Sequence, residues 1–130
     1  MTNLAIIEQL YQDFATGNVP GVIANMHESM VWNEAENFPY ADGNPYIGPQ
    51  AVVEGVFARC LTDWEGFAAH MTTLFDAGDH IIATGRYAGK NKNSGLEMNP
   101  QAVHVWTLEN GKIVKFQQHI DTLNVHRAMG

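Results

Sequence analysis

A carboxyl group in apolar surroundings is a candidate acid or base, and Glu34 is the clearest case in this sequence. Residues Met30 to Glu34 alternate as a strand does, so Met30, Trp32 and Glu34 would share one face. A carboxyl group beside an indole and away from water is disfavoured in its charged form, which raises its pKa toward the range of a general base. The alternative is a glutamate at the end of a strand that points into solvent.

Further ionisable residues lie on two strands predicted near the end of the chain. His104 would share a strand face with Ala102 and Trp106, and His119 and Asp121 would share a face of the last strand. A histidine at such a position can act in proton transfer near neutral pH, but it can equally be a hydrogen-bonded core residue. Asp121 can also cap a terminal helix through the backbone that follows it.

The six histidines raise the question of a metal site. His104, His119 and Asp121 together are the ligand types of a two-histidine, one-carboxylate centre. No His-x-x-x-His pair appears, and neither does a phosphate-binding glycine loop or a nucleophile elbow. The single Cys60 excludes an internal disulfide and a multi-cysteine site, and it is predicted to be a core residue. The sequence therefore predicts no metal and no cofactor.

Length and charge limit the classes of protein to consider. The 130 residues correspond to one domain, and we predict a single domain over residues 1–130. Seven basic against fourteen acidic residues give a net charge of −7, which argues against nucleic acid and anionic membranes as partners. No signal peptide is readable at the start of the sequence, and no apolar run approaches about eighteen residues. We therefore predict a cytoplasmic protein with no membrane contact.

The elements that would position these residues change type halfway along the chain. Apolar residues at helical spacing predict a helix over 3–15, a short second helix over 21–26 and a third helix from Pro49. Alternating residues then predict four strands over 67–76, 80–90, 98–108 and 112–121, with a terminal helix over 123–129. Helices followed by a meander of antiparallel strands indicate an α+β fold, with helices covering one face of a curved sheet.

Several segments together resemble one superfamily. They are Phe14 to Val22, Met26 to Trp32, Tyr46 to Val52, Glu109 to Ile113 and His119 to Thr122. In this order and spacing they resemble the superfamily of nuclear transport factor two, ketosteroid isomerase and SnoaL-like polyketide cyclases. The resemblance implies a cone-shaped α+β barrel, of cystatin-like fold, in which helices and a curved, mostly antiparallel sheet enclose one apolar pocket. It also implies a homodimer.

The resemblance also suggests roles for individual residues. Glu34 matches the carboxylate that moves the substrate proton in ketosteroid isomerase, although the family residue is Asp. His104 falls where that isomerase has a protonated Asp of the oxyanion hole, so it would donate a hydrogen bond to an enolate oxygen. The second donor is a Tyr on the first helix, whose place falls on Leu10, one residue before Tyr11.

In SnoaL-like cyclases a carboxylate near the end of the sheet acts as acid or base. Asp121 resembles that residue, and His119 would orient it or relay a proton.

These expectations lead to two hypotheses of different classes. The first is a cofactor-independent acid/base enzyme, of isomerase, cyclase or dehydratase type, acting on a small apolar carbonyl compound. The second is a non-catalytic module of the same fold that binds a hydrophobic ligand or another protein. In either case aromatic side chains are predicted to line the ligand pocket, partly from the long loop 35–48: Phe14, Trp32, Phe38, Tyr40, Tyr46, Phe57 and Trp106.

Overall fold

A computed structural model describes all residues from Met1 to Gly130. The helices are α1 (Asn3–Ala15), α2 (Val19–Ile23), α3 (Pro49–Val52), α4 (Ala58–Asp63) and α5 (Thr122–Met129), with a 3-10 turn at Pro39–Gly43 and a π-helical turn at Val53–Phe57. The strands are β1 (Met26–Asn33), β2 (Tyr46–Ile47), β3 (Trp64–Ala77), β4 (His80–Asn91), β5 (Glu97–Met98), β6 (Gln101–Glu109) and β7 (Lys112–Ile120).

The first helix has its predicted bounds, but the second is shifted. The Asn18 side chain accepts a hydrogen bond from the Gly21 backbone N–H at 3.2 Å, so α2 begins at Val19. It ends at Ile23, and Met26 begins β1 because it pairs with Ile113 of β7. The prediction of helix up to Met26 was therefore wrong, since tertiary pairing prevails there over local helix signals.

The strands form one curved sheet in the order β2-β1-β7-β6-β4-β3, with β5 paired to β4. The pairs are antiparallel except β1 with β7, which run parallel. The sheet is not closed, because β2 and β3 remain at opposite edges. The α+β class is confirmed, and the expected barrel is an open curved sheet.

The segment from 49 to 63 forms a third helical stretch whose middle is a π-helical turn. Extra residues in such a turn rotate the side chains that follow, and π-helical turns are frequent at functional sites. Here the turn contributes Val56 and Phe57, and α4 contributes Cys60, to the core. Val53, at the start of the turn, is only half-buried.

A single cluster of 26 buried apolar residues lies between the helices and the concave face of the sheet. Only four polar or charged residues are buried with it: Glu34, Asn91, His104 and Gln118. Buried polar groups of this kind need partners or a function. None of the helices has the length and apolar character that crossing a membrane requires.

Candidate functional site

Three of the four buried polar residues border one apolar cavity. The cavity has a volume of about 40 Å³, more than the roughly 10–15 Å³ that a water molecule requires. It is lined by Leu10, Tyr11, Phe14, Trp32, Glu34, Phe38, Val56, Phe57, Cys60, Phe67, Ala69, Tyr87, His104, Trp106, Phe116 and Gln118. Neither Lys nor Arg is in this set, so the cavity suits a neutral, mainly apolar ligand.

Glu34 is placed just beyond the end of β1 and is 3% exposed. Its backbone is fixed by Asn44, whose side chain accepts from the Glu34 N–H and donates to the Glu34 carbonyl oxygen, both at 2.9 Å. The Trp32 indole N–H donates to carboxyl oxygen Oε2 at 3.1 Å. The other oxygen, Oε1, accepts no hydrogen bond from the protein. Every fully buried side-chain nitrogen or oxygen atom has a hydrogen-bond partner, so Oε1 is not fully buried. We infer that it faces the cavity, which Glu34 lines.

Burial raises the pKa of Glu34 to about 7, while the Trp32 hydrogen bond and the charge of Arg59 act in the opposite direction. Near neutral pH this carboxyl group is therefore present both with and without its proton. That property is what a general base or acid requires.

His104 lies between two tyrosines. Its Nδ1 is 2.6 Å from the Tyr11 hydroxyl and its Nε2 is 2.5 Å from the Tyr87 hydroxyl. The Trp106 indole N–H donates to Tyr11 at 2.8 Å, and the Gln118 amide donates to Tyr87 at 3.0 Å. Four side chains of the sheet and one of α1 thus form a continuous hydrogen-bonded chain along the cavity.

Electrostatics keep this chain uncharged. Burial lowers the pKa of His104 to about 3, so its imidazole is neutral over the physiological range. Burial also raises the pKa of the Tyr11 hydroxyl far above its usual value, and does the same for Tyr87, where the charge of Glu34 adds to the effect. This influence of Glu34 on Tyr87 reflects their proximity around the cavity.

The structure brings most of the predicted site residues together. Glu34, Tyr11 and His104 border the same cavity, as do five of the predicted aromatic residues: Phe14, Trp32, Phe38, Phe57 and Trp106. Leu10 and Tyr11 both border it, so a one-residue offset on the first helix does not remove the tyrosine from the site.

Two predicted aromatic residues lie elsewhere. Tyr40 belongs to the 3-10 turn and does not line the cavity. Its hydroxyl donates a hydrogen bond to the Asp63 side chain at 2.8 Å. Tyr46 is also outside it, with its hydroxyl donating to the Tyr40 carbonyl oxygen at 2.6 Å. These two side chains therefore lie outside the cavity, because their hydroxyl groups hydrogen-bond to neighbouring segments of the chain.

His119 and Asp121 are also placed outside the cavity. His119 is exposed while its neighbour Gln118 is buried, since successive residues of a strand point to opposite faces. The Asp121 side chain accepts from the Asn124 N–H at 3.2 Å and caps α5. The capping alternative therefore describes Asp121, and neither residue joins Glu34. Nor do three or more metal-ligating side chains gather anywhere in the structure.

Sequence reasoning missed Tyr87 and Gln118. Tyr87 is an even number of residues from Ile81 and Ala83, which are buried on the same strand. Gln118 has the same relation to Phe116 on β7, and its side-chain oxygen Oε1 accepts a hydrogen bond from the Ala35 N–H at 3.0 Å. A polar residue on a face that is otherwise apolar was the signal that could have identified both.

Comparison with known proteins identifies the family. The SnoaL-like domain matches residues 7–116 of this chain. The chain belongs to the SnoaL-like domain family. An NTF2-like protein from Burkholderia thailandensis is 32% identical, with a TM-score of 0.96 over 100% of this chain and 98% of that one. The comparison with curated proteins yields no match.

More distant solved structures share the fold. TerC, co-crystallised with polyporic acid, is 23% identical to this SnoaL-like protein, with a TM-score of 0.86 over 98% of this chain and 97% of that one. A putative SnoaL-like polyketide cyclase from Jannaschia sp. CCS1 is 15% identical, with a TM-score of 0.80 over 98% and 90% of the two chains. The predicted relation to SnoaL-like and nuclear transport factor two-like proteins is thereby confirmed.

Proposed function

We propose that this SnoaL-like protein is a cofactor-independent acid/base enzyme that moves a proton next to the carbonyl group of a small apolar compound. The observation that carries this proposal is Glu34, whose free carboxyl oxygen faces an apolar cavity and whose pKa is about 7. The crystal structure of TerC with polyporic acid and the putative polyketide cyclase among the structural relatives are consistent with an organic ligand in this fold.

The cavity supplies both groups that such a reaction needs. Ionised Glu34 would remove a proton from the carbon next to the carbonyl, and the negative charge would then develop on the carbonyl oxygen. A tyrosine hydroxyl of the Tyr11–His104–Tyr87 chain would donate a hydrogen bond to that oxygen. The surrounding aromatic rings exclude water, which strengthens both interactions.

Proton exchange tests the base without requiring the physiological substrate. Cyclohexanone and 2-cyclohexen-1-one are incubated with the protein in D2O, and loss of their α-proton signals is followed by NMR. General base catalysis is worth roughly 100- to 10,000-fold, so Glu34→Gln should reduce the protein-dependent rate by at least about 100-fold. Exposed Glu36, two residues further along, provides the matched control Glu36→Gln, which should keep the rate.

The pH profile gives a second criterion. The active form of the base is the carboxylate, so the exchange rate should rise with pH, reach half its maximum near pH 7 and then level off. If Glu34→Gln binds these ketones and exchanges their protons as fast as the unaltered protein, Glu34 is not the base. If the unaltered protein binds the ketones but exchanges their protons no faster than buffer alone, the non-catalytic ligand-binding module becomes the better description.

A further inference from the structure

The hydrogen-bonded chain around His104 has a fixed number of protons. Each tyrosine hydroxyl carries one proton and accepts two hydrogen bonds, and each already accepts one, from Trp106 or from Gln118. A neutral imidazole carries one N–H, and its other nitrogen only accepts. Both ring nitrogens of His104 are engaged with tyrosines.

Only two proton arrangements satisfy both contacts of His104. If Nε2 carries the proton, it donates to Tyr87, and Tyr11 donates to Nδ1. If Nδ1 carries the proton, it donates to Tyr11, and Tyr87 donates to Nε2. In each arrangement one tyrosine hydroxyl donates its hydrogen bond to His104, and the other accepts from His104 and keeps a hydroxyl proton that is not donated to it.

That remaining proton has no acceptor in the protein. Beyond the contacts described above, neither the Tyr11 nor the Tyr87 hydroxyl forms a hydrogen bond with another side chain or with the backbone. Both tyrosines line the cavity. A hydroxyl donor left unpaired in a water-poor site is costly, so it is available to an acceptor atom of a ligand.

We propose that His104 is a positioning residue, because it ensures that the cavity presents a single tyrosine hydroxyl donor to its ligand. The tautomer of His104 determines whether Tyr87 or Tyr11 supplies that donor. This role differs from that of a direct donor, since neither nitrogen of His104 is free to contact a ligand. The inference rests on the proposed function only in taking this cavity as the site of a carbonyl ligand. The low pKa of His104 supports it, because an imidazolium would donate from both nitrogens and leave both tyrosine protons free.

Nitrogen NMR of protein labelled with 15N-histidine tests the proposal, because the shifts of the two ring nitrogens report which one carries the proton. His104 is the one buried histidine among six, and its signals should not titrate between pH 5 and pH 8. Cyclohexanone at saturating concentration is the probe ligand. In Tyr87→Phe only Tyr11 can donate to the ketone, so Nδ1 of His104 should carry the proton.

The opposite variant gives the opposite expectation. In Tyr11→Phe with cyclohexanone, Tyr87 is the donor and Nε2 should carry the proton. The unaltered protein should match one of these two variants, which identifies its donor. Tyr46→Phe, which removes a buried hydroxyl outside the cavity, is the matched control and should give the same spectrum as the unaltered protein.

Three results would overturn the proposal: a doubly protonated His104 at pH 7, the same tautomer in both ketone-loaded variants, or no response of His104 to cyclohexanone in either variant. These outcomes are separable from the test of Glu34. If Glu34 is not a base, the ketone still fixes the tautomer, whereas a failure of the His104 proposal leaves the effect of Glu34→Gln on proton exchange intact.

Discussion

At the scale of single residues, Glu34 connects the chemistry of the site to the stability of the fold. The folded protein favours its protonated form, because the pKa is about 7 in place of the ordinary 4.5. Above pH 7 the folded state must hold a buried charge, and the shift corresponds to a destabilisation of about 3 kcal/mol. Below pH 4.5 the group is protonated in both states and this cost is absent.

Glu34→Gln should therefore be more stable than the unaltered protein at pH 8, by up to about 3 kcal/mol. The glutamine oxygen can still accept from Trp32, and the advantage should shrink as the pH falls from 7 toward 4.5. Urea unfolding of both proteins at pH 5 and pH 8 measures the difference in their free energies of unfolding. His104 is present in both proteins, so its contribution cancels. Equal stability of the two proteins at pH 8 would contradict an elevated pKa.

At the scale of elements, Asp121 is predicted to matter for helix α5 and not for chemistry. Its side chain caps the first turn at the Asn124 N–H, and the loss of such a cap costs about 1 kcal/mol. Asp121→Ala should lower the free energy of unfolding by about that amount and leave proton exchange unchanged. Asp121→Asn, which can still cap, should restore most of the stability. A loss of exchange in Asp121→Asn would favour a catalytic role instead.

The π-helical turn provides a second prediction at this scale. In an exposed helix Gly→Ala stabilises by about 1 kcal/mol. A Cβ on Gly55, however, would overlap the ring of Tyr46, which also lies close against Gly43. Gly55→Ala should therefore lower the melting temperature. Because the clash requires the ring, the same substitution should cost less in a Tyr46→Ala background. An equal loss of melting temperature in both backgrounds would mean that the backbone of the turn, and not the Tyr46 ring, disfavours alanine at this position.

At the scale of the whole molecule, the homodimer expected from the family resemblance stays a prediction. The chain has a mass of 14.4 kDa, so sedimentation equilibrium should give twice this value at micromolar concentration. A single species of 14.4 kDa would contradict it. The measurement should be repeated with Glu34→Gln, whose change lies inside the cavity and should leave the mass unaltered.

The sequence by itself determined the first helix, the four later strands and the principal acid/base candidate. Helix α1 follows from the 3.6-residue spacing of its apolar side chains, and the later strands follow from alternation and Gly-containing turns. These signals are local, and they are readable because each depends on neighbours only a few residues away. Glu34 was identified for the same reason, from its position two residues after Trp32.

The tertiary structure decided which polar residues meet. Tyr11 and His104 are 93 residues apart in sequence, and their contact depends on how α1 packs over the curved sheet. The face of β7 that carries Gln118 points inward, and the face that carries His119 points outward. The pairing of β7 with β6 fixes this register, and a shift of one residue would exchange the two faces. Side chains that are distant in sequence converge only through packing, and no local pattern encodes that convergence.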